Sequence, residues 1–192
     1  MSKYVAFLRG INVGGKKLIK MEELRRVLES SGFKNVQTFI QSGNVIFESG
    51  EIDREALTTK IEKKLLKAFG HDVTVVLQTA AELEAILKLN PFRKIKPGAD
   101  VMKFVALLRA EPESNTKLPL VSSTEKLEVL AIKNRAAFIL CHRKQNGFFS
   151  FPNNFLEKYF GVAATTRNWN TIQRIGALAK SKPAISARNK SS

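Results

Sequence analysis

The chain has 192 residues, of which 44% are hydrophobic and 26% are charged, an ordinary composition for a folded protein. A single cysteine, Cys141, and two histidines exclude an intramolecular disulfide and are too few for a closed Cys/His zinc site. No apolar run approaches the roughly 20 residues that cross a bilayer, so we expect no membrane association.

The formal net charge of +15 is unevenly distributed along the chain. Residues 129–192 contain 11 Lys and Arg against one acidic residue, Glu157. Such a charge distribution attracts phosphate-rich partners and anionic surfaces, although a basic composition can also serve solubility alone. The opening residues, MSKYVAFLRG, enter a strand-like run without a signal-peptide pattern, which predicts a cytoplasmic protein.

The first half alternates strand and helix patterns. The predicted elements are a strand at 4–9, a helix at about 20–31, strands at 36–40 and 44–48, a helix at 53–69 and a strand at 73–78. Asp53 is the predicted N-cap of the second helix, and Thr79 with Glu82 forms a capping box that opens a third helix. The order is β-α-β-β-α-β with one extra helix.

An internal similarity predicts a second copy of this order. YVAFLR at Tyr4–Arg9 recurs 100 residues later as FVALLR at Phe104–Arg109, which indicates the first strand of each copy. A proline-broken segment, strands at 127–133 and 136–142, a helix at 154–160 and a strand ending at 168 complete the second copy. We therefore predict an α+β fold of two tandem ferredoxin-like β-α-β-β-α-β subdomains with extra helices.

The predicted boundaries are a first subdomain at residues 1–90, a linker at 91–100, a second subdomain at 101–179 and a disordered basic tail at 180–192. The first strand of each copy is apolar at five consecutive positions. We therefore expect each sheet to be covered on both faces, by helices on one side, with the other copy as the candidate for the opposite side. This packing argues against an open sheet that reads RNA.

The loop at residues 10–17, GINVGGKK, joins the first strand to the first helix. It carries Lys17 where a phosphate-binding loop requires Ser or Thr for magnesium, which disfavours a nucleoside triphosphatase. Glycine amides can still converge on an anion beside basic side chains; the alternative is a loop that only turns the chain. The candidate ligand residues here are Arg9, Asn12, Gly14, Gly15 and Lys16.

The predicted hairpin turn carries a second group of candidates, Gln41, Ser42 and Asn44. Its Gly and Asn suit positive φ, and its polar side chains offer donors and acceptors to a small polar ligand. The alternative is a plain turn.

The strand-to-helix corner near residue 168 carries the third group. Asn168 is the predicted N-cap, Arg167 offers a bidentate donor, Trp169 offers a stacking surface and Asn170 adds a polar group. The alternative is a structural cap beside a core-packed Trp.

No catalytic set can be named. Cys141 and His142 are adjacent on a strand, so their side chains point to opposite faces. The sequence has no G-x-S-x-G motif and no closely placed carboxylates for acid/base work. We predict neither a metal nor a cofactor.

YVAFLRGINVGG, QSGNV and TRNW together closely resemble the uncharacterised bacterial family catalogued as domain of unknown function 1697. The similarity extends to about Lys180. It implies a fold of two ferredoxin-like α+β subdomains and a shared site at the three loops, and it brings no established activity, cofactor or partner.

The leading hypothesis is a non-enzymatic binding module for an anionic ligand, either a nucleotide-like small molecule or nucleic acid. One alternative is an enzyme acting on a phosphate-containing substrate, in which Arg167 stabilises developing charge. Another is a protein-interaction scaffold in which the three loops only join the two copies. The sequence leaves ligand identity, oligomeric state and biological process open.

Overall fold

Two antiparallel sheets, one in each half of the chain, form the framework of the molecule. The computed structural model describes residues 1–96, 98–113 and 116–181. Within these residues, helices and strands are mixed throughout the chain, as predicted for an α+β protein.

The first sheet has the strand order β2-β3-β1-β4, with every neighbouring pair antiparallel. The elements of this half are β1 (Ser2–Leu8), α1 (Met21–Ser30), β2 (Lys34–Phe39), β3 (Asn44–Ser49), α2 (Arg54–Phe69), β4 (Val75–Thr79) and α3 (Ala80–Leu89). Both predicted caps are present, because Asp53 accepts a hydrogen bond from the Ala56 amide and Thr79 forms a capping box with Glu82.

The second sheet has the order β6-β7-β8-β5-β9. Its elements are β5 (Val101–Leu108), β6 (Leu120–Ser122), β7 (Leu127–Lys133), β8 (Ala136–His142), α4 (Asn153–Phe160), β9 (Ala164–Asn168) and α5 (Trp169–Lys180). The predicted β-α-β-β-α-β order fails at one element here, since the described residues between β5 and β7 form β6 and no helix. Pro112 and Pro119 interrupt this segment, and proline breaks a helix interior.

Each sheet is covered on both faces, as predicted. Alternate residues of β1 point to opposite sides: Leu8 packs under α1 and α2, whereas Phe7 packs into a core shared by the two halves. In β5, Leu108 faces α4 and Leu107 faces the shared core. Helices α3 and α5 also contribute to the shared core. Both faces of β1 and β5 are therefore buried, which explains why each strand has five consecutive apolar residues.

The segment between the halves contributes to this core. Pro91–Lys94 forms a short 3-10 helix, and Phe92 is buried with its ring centroid 5.3 Å from that of Trp169. Helix α5 extends to Lys180, the first residue of the predicted tail, and residues 182–192 of that tail lie outside the described residues. No helix in the described ranges has the length and hydropathy to span a bilayer.

Candidate functional site

Two of the three loops singled out in the sequence line one cleft between the two halves, together with Arg167 of β9. The cleft has a volume of about 490 Å³, within the range of small-molecule sites. It is lined by residues of the loop after β1, the β2–β3 turn, the segment before α4, and β9. The lining residues are Arg9, Gly10, Ile11, Val13, Lys16, Lys17, Ser42, Phe151, Asn153, Thr165, Thr166 and Arg167.

Asn12 fixes the glycine-rich loop in place. Its Oδ1 accepts from the Ile19 amide at 2.8 Å, and its Nδ2 donates to the carbonyls of Ile19 and Gln41 at 3.0 and 2.8 Å. The Asn12 side chain therefore closes the loop and ties it to the β2–β3 turn. Its polar groups are engaged within the protein, so Asn12 shapes the cleft from behind.

The β2–β3 turn packs closely against β1 at Gly43. This residue has φ +75°, and an added Cβ would lie 2.6 Å from Ile11 Cδ1 and 2.8 Å from Leu8 Cβ. The Leu8 amide donates to the Gly43 carbonyl at 2.8 Å. The second residue of the turn with a positive φ is Ile40. The sequence pattern predicted a positive φ at Asn44, which is instead the first residue of β3.

Arg167 spans the two halves from β9. Its Nε donates to Asn44 Oδ1 at 2.6 Å, and its Nη2 donates to the carbonyls of Leu8 and Ser42, each at 2.8 Å. Its Nη1 donates to Thr165 Oγ1 and to a β9 carbonyl, both at 2.9 Å. The sequence predicted a donor for ligand, but the guanidinium N–H groups are used within the protein.

The acceptors around Arg167 are all neutral. The residue is 8% exposed, and burial lowers the pKa of its guanidinium to about 10. No carboxylate of the described chain hydrogen-bonds or pairs with this guanidinium. A buried cation therefore lies at the wall of the cleft without a counter-ion among the described residues.

The other three basic side chains of the cleft differ in their partners. Arg9 pairs with Glu157 of α4, with Nη2 and Oε2 2.6 Å apart. Lys17 Nζ donates to the Asp72 carbonyl. Lys16 is exposed, and its ammonium contacts no acceptor in the described part of the chain, so it is available to a ligand.

Backbone amides without a described partner lie on two sides of the cleft. Those of Gly10 and Ile11 make no hydrogen bond with any described residue. Across the cleft, α4 begins after Pro152, which provides no side-chain cap, so the first amides of this helix are free and carry its partial positive charge. Asn153 Oδ1 accepts from Thr166 Oγ1 at 2.6 Å, which leaves its Nδ2 as a further donor.

The predicted corner at α5 lies away from this cleft. Asn168 Oδ1 accepts from the Asn170 amide at 2.9 Å, which confirms the cap. Trp169 is only 6% exposed and packs beside Phe92 and Phe138, so the prediction that it offers a stacking surface is wrong. The small exposed part of the indole borders a separate cavity beside Leu87 and Gln173 and does not reach the cleft.

Of the predicted site residues, Arg9, Lys16, Ser42 and Arg167 line the cleft. Asn12 and Asn44 support it from behind, whereas Gly14, Gly15 and Gln41 are exposed on the adjoining loops without lining it. Sequence reasoning missed Phe151 and Asn153. The sequence pattern that could have indicated them is SFPNN, in which an aromatic residue and a proline stand immediately before a helix.

No group of three or more His, Cys, Asp or Glu side chains that could hold a metal ion occurs in the part of the chain that the structure describes. Cys141 is buried, and burial together with the Glu125 charge raises the pKa of its thiol to about 12. The thiol is therefore protonated near neutral pH and unsuited to nucleophilic chemistry.

Comparisons with known proteins agree with this description of the fold. The structure resembles that of the conserved bacterial protein SP0830 from Streptococcus pneumoniae, with a TM-score of 0.61 and 23% sequence identity over 93% of this chain and 99% of that chain. This likeness shows a shared fold. A search of the curated proteins finds no match. A family model described as "Protein of unknown function (DUF1697)" matches residues 1–138, and the chain therefore belongs to this family.

Proposed function

We propose that this protein binds a small anionic ligand in the cleft between its two halves. The observation that carries the proposal is the buried Arg167 cation, which has neutral hydrogen-bond partners and forms part of the cleft wall. Removing a charged group from water is costly unless an opposite charge compensates it. An anion in the cleft supplies that charge.

Arg167 acts in this proposal through its charge and its position. Because its N–H groups are occupied by Asn44 and by neighbouring carbonyls, it attracts the ligand without a full set of direct contacts. Interactions between charges are strong where the surroundings exclude water. The buried guanidinium also ties β9 to the end of β1 and to the β2–β3 turn, so this wall of the cleft is formed before the ligand arrives.

Direct contacts to the anion come from other groups. Lys16 offers an exposed ammonium, and the free amides of Gly10 and Ile11 offer backbone donors beside it. The uncapped start of α4 and the Asn153 amide face the same space. Backbone amides in a loop and at a helix N-terminus are a recurrent means of holding phosphate or carboxylate oxygens.

Binding is better supported than catalysis. The described residues that line the cleft include Ser and Thr hydroxyls but no carboxylate, histidine or cysteine. Acid/base catalysis needs such a group within hydrogen-bond reach of the substrate. An enzyme acting on a phosphate-containing substrate would have to obtain its base from the substrate or from a partner, and a binding module needs none.

We also infer that the chain consists of two tandem ferredoxin-like units. The shared strand orders, β2-β3-β1-β4 in the first sheet and β7-β8-β5-β9 within the second, support this interpretation. The recurrence of the YVAFLR pattern at β1 and β5 supports it as well. In the second unit, β6 takes the place of the first helix.

The test is calorimetric titration of the full chain with inorganic pyrophosphate at low ionic strength. We expect saturable binding at one site, and Lys16→Ala should weaken it roughly tenfold because a hydrogen bond to a charged group is lost. Lys64→Ala is the matched control, since Lys64 is an exposed lysine on α2 that does not line the cleft. It should leave the affinity unchanged.

Two results would contradict the proposal. One is the absence of saturable binding at millimolar pyrophosphate. The other is equal weakening by Lys16→Ala and Lys64→Ala, which would indicate diffuse attraction to the +15 chain and favour a polyanion such as nucleic acid as the partner.

A further inference from the structure

The cleft has an aromatic wall in addition to its basic one. Phe151 lines the cleft and is 64% exposed, a large exposure for an apolar ring of this size. Ile11 and Val13 line the same space. A site for a simple inorganic anion needs no such surface, because an anion alone gains nothing from apolar contacts.

The chain holds Phe151 firmly in this exposed position. The residue before it, Ser150, is buried and its Oγ donates to Glu125 Oε2 at 2.7 Å. The residue after it, Pro152, is buried at the start of α4. The Phe151 ring also forms a T-shaped contact with Phe104, with centroids 6.2 Å apart and an angle of 65° between the planes.

Phe104 therefore holds the Phe151 ring on one side, and the 64% exposure leaves much of its aromatic surface open. Planar ligands stack on such faces, and a ring that is already positioned loses little conformational freedom when the ligand arrives. The geometry of the cleft thus offers two different surfaces side by side, one for negative charge and one for a flat apolar group.

We propose that the ligand is a nucleoside monophosphate or a molecule of that class, with its phosphate held by the basic loop and its base stacked on Phe151. This inference rests on the proposed anion binding and adds the chemical nature of the rest of the ligand. The volume of about 490 Å³ suits one nucleotide and not a longer strand, since ligand sites of this range enclose single small molecules.

Neutral polar groups in the same wall match the edge of a base or the hydroxyls of a sugar. Asn153 keeps an amide donor free after its oxygen accepts from Thr166. Thr165 accepts from Arg167 and lines the cleft. These groups can hydrogen-bond the neutral part of the ligand, which an isolated aromatic patch on a protein surface could not do.

The experiment compares AMP with ribose 5-phosphate, which has the same sugar and phosphate but lacks the base. Titration of the full chain should show AMP binding roughly tenfold tighter, because stacking of one base on an aromatic side chain contributes this much. Phe151→Ala should lower the AMP affinity to that of ribose 5-phosphate and leave ribose 5-phosphate itself unchanged. Phe151→Tyr should restore the preference.

Phe148→Ala is the matched control. Phe148 is 72% exposed on the same loop but does not line the cleft, so its removal should change neither affinity. Both phenylalanines are mostly exposed, and we expect both variants to fold as the wild type does in circular dichroism.

The outcomes separate the two proposals. Equal affinity of the wild type for AMP and ribose 5-phosphate, or an AMP preference that survives Phe151→Ala, would overturn the inference about the base while anion binding stands. Binding of single-stranded RNA without binding of AMP would also overturn it. Failure to bind ribose 5-phosphate, AMP and pyrophosphate would remove the anion site and this inference together.

Discussion

The two halves of the molecule meet at two corners that have similar backbone contacts. The corners differ in whether the arginine that bridges the halves pairs with a carboxylate. In the first, which we call the open corner, the β2–β3 turn meets β9, and the Leu8 amide donates to Gly43. In the second, the paired corner, the β7–β8 turn meets β4, and the Leu108 amide donates to Arg135 at 2.8 Å.

The arginine after the first strand of each half makes the same kind of ion pair at both corners. Arg9 pairs with Glu157, whose other oxygen accepts from the Ala164 amide at 2.8 Å. Arg109 pairs with Glu62 at 2.8 Å, and Glu62 accepts from the Val75 amide. Each arginine therefore reaches a glutamate of the opposite half that also anchors the start of the last strand of that half, β9 or β4.

The corners differ in the cation that bridges the halves. At the paired corner, Arg135 contacts Glu82 at 3.1 Å, and Gln78 takes the place that Arg167 has at the open corner. At the open corner, every described hydrogen-bond partner of the bridging Arg167 is neutral. The paired corner joins the two halves without an unpaired charge, so the unpaired charge of Arg167 is not required for joining them. This contrast supports a ligand-binding role for the open corner.

The largest effect is expected from closing the tight contact at the open corner. Gly43→Ala should lower the free energy of unfolding by about 3 kcal/mol, since the new methyl group would overlap Leu8 and Ile11 and core overpacking costs about 1–3 kcal/mol in addition to backbone strain. Gly14→Ala is the control, because Gly14 has φ +57° with no atom within 4 Å of an added Cβ. Urea denaturation should show a loss of about 1 kcal/mol for this control. Similar losses for the two variants would contradict the close packing.

The second prediction exchanges the bridging cations. Arg167→Gln gives the open corner the residue type found at the paired corner, and it should cost about 2 kcal/mol because buried carbonyls lose their donors. It should also abolish the stabilisation that pyrophosphate gives the wild type in thermal unfolding. Arg135→Gln should destabilise the fold and keep the pyrophosphate response. Loss of the response in both variants would mean that the corners do not differ in function.

The smallest expected effect is a pH-dependent contribution of Glu82 to the free energy of unfolding. Burial alone raises the pKa of the Glu82 carboxyl, but the Thr79 amide and the charges of Arg135 and Arg54 lower it overall. A carboxyl whose pKa is lower in the folded state contributes stability above its unfolded pKa of about 4.3 and loses it as pH falls through the folded value. Glu82→Gln should therefore destabilise the protein by about 1 kcal/mol at pH 7 and by less near pH 3. A difference that does not change with pH would show that Glu82 acts without its charge.

Most of the fold could be predicted from local patterns. The caps at Asp53, Thr79 and Asn168 follow from short-range chemistry, and the strand pair at 127–142 follows from apolar runs around Asn134-Arg135. The absence of a helix between β5 and β7 is harder to predict from the sequence. This segment has no clear hydrophobic periodicity, and its prolines disfavour a helix without specifying a strand.

The site could be predicted in part. Glycine and polar residues cluster at three corners of the chain and indicate a site there, and two of these loops line the cleft together with Arg167. The burial of Arg167 and Trp169 could not be read from the sequence, since it depends on how the two halves pack. The exposure of Phe151 could not be predicted for the same reason. The sequence does not distinguish an exposed phenylalanine from a buried one, because burial depends on where the neighbouring residues lie in the fold.

The open corner can be examined by anomalous diffraction from crystals of the wild type soaked in millimolar selenate at low ionic strength. Selenate is a tetrahedral dianion, like hydrogen phosphate in shape and charge, and its selenium atom marks its position. We predict an anomalous peak within the cleft, in contact with Lys16 or the free amides at the start of α4. Selenate bound elsewhere on the basic surface with the cleft empty would contradict the assignment of an anion to the unpaired charge of Arg167.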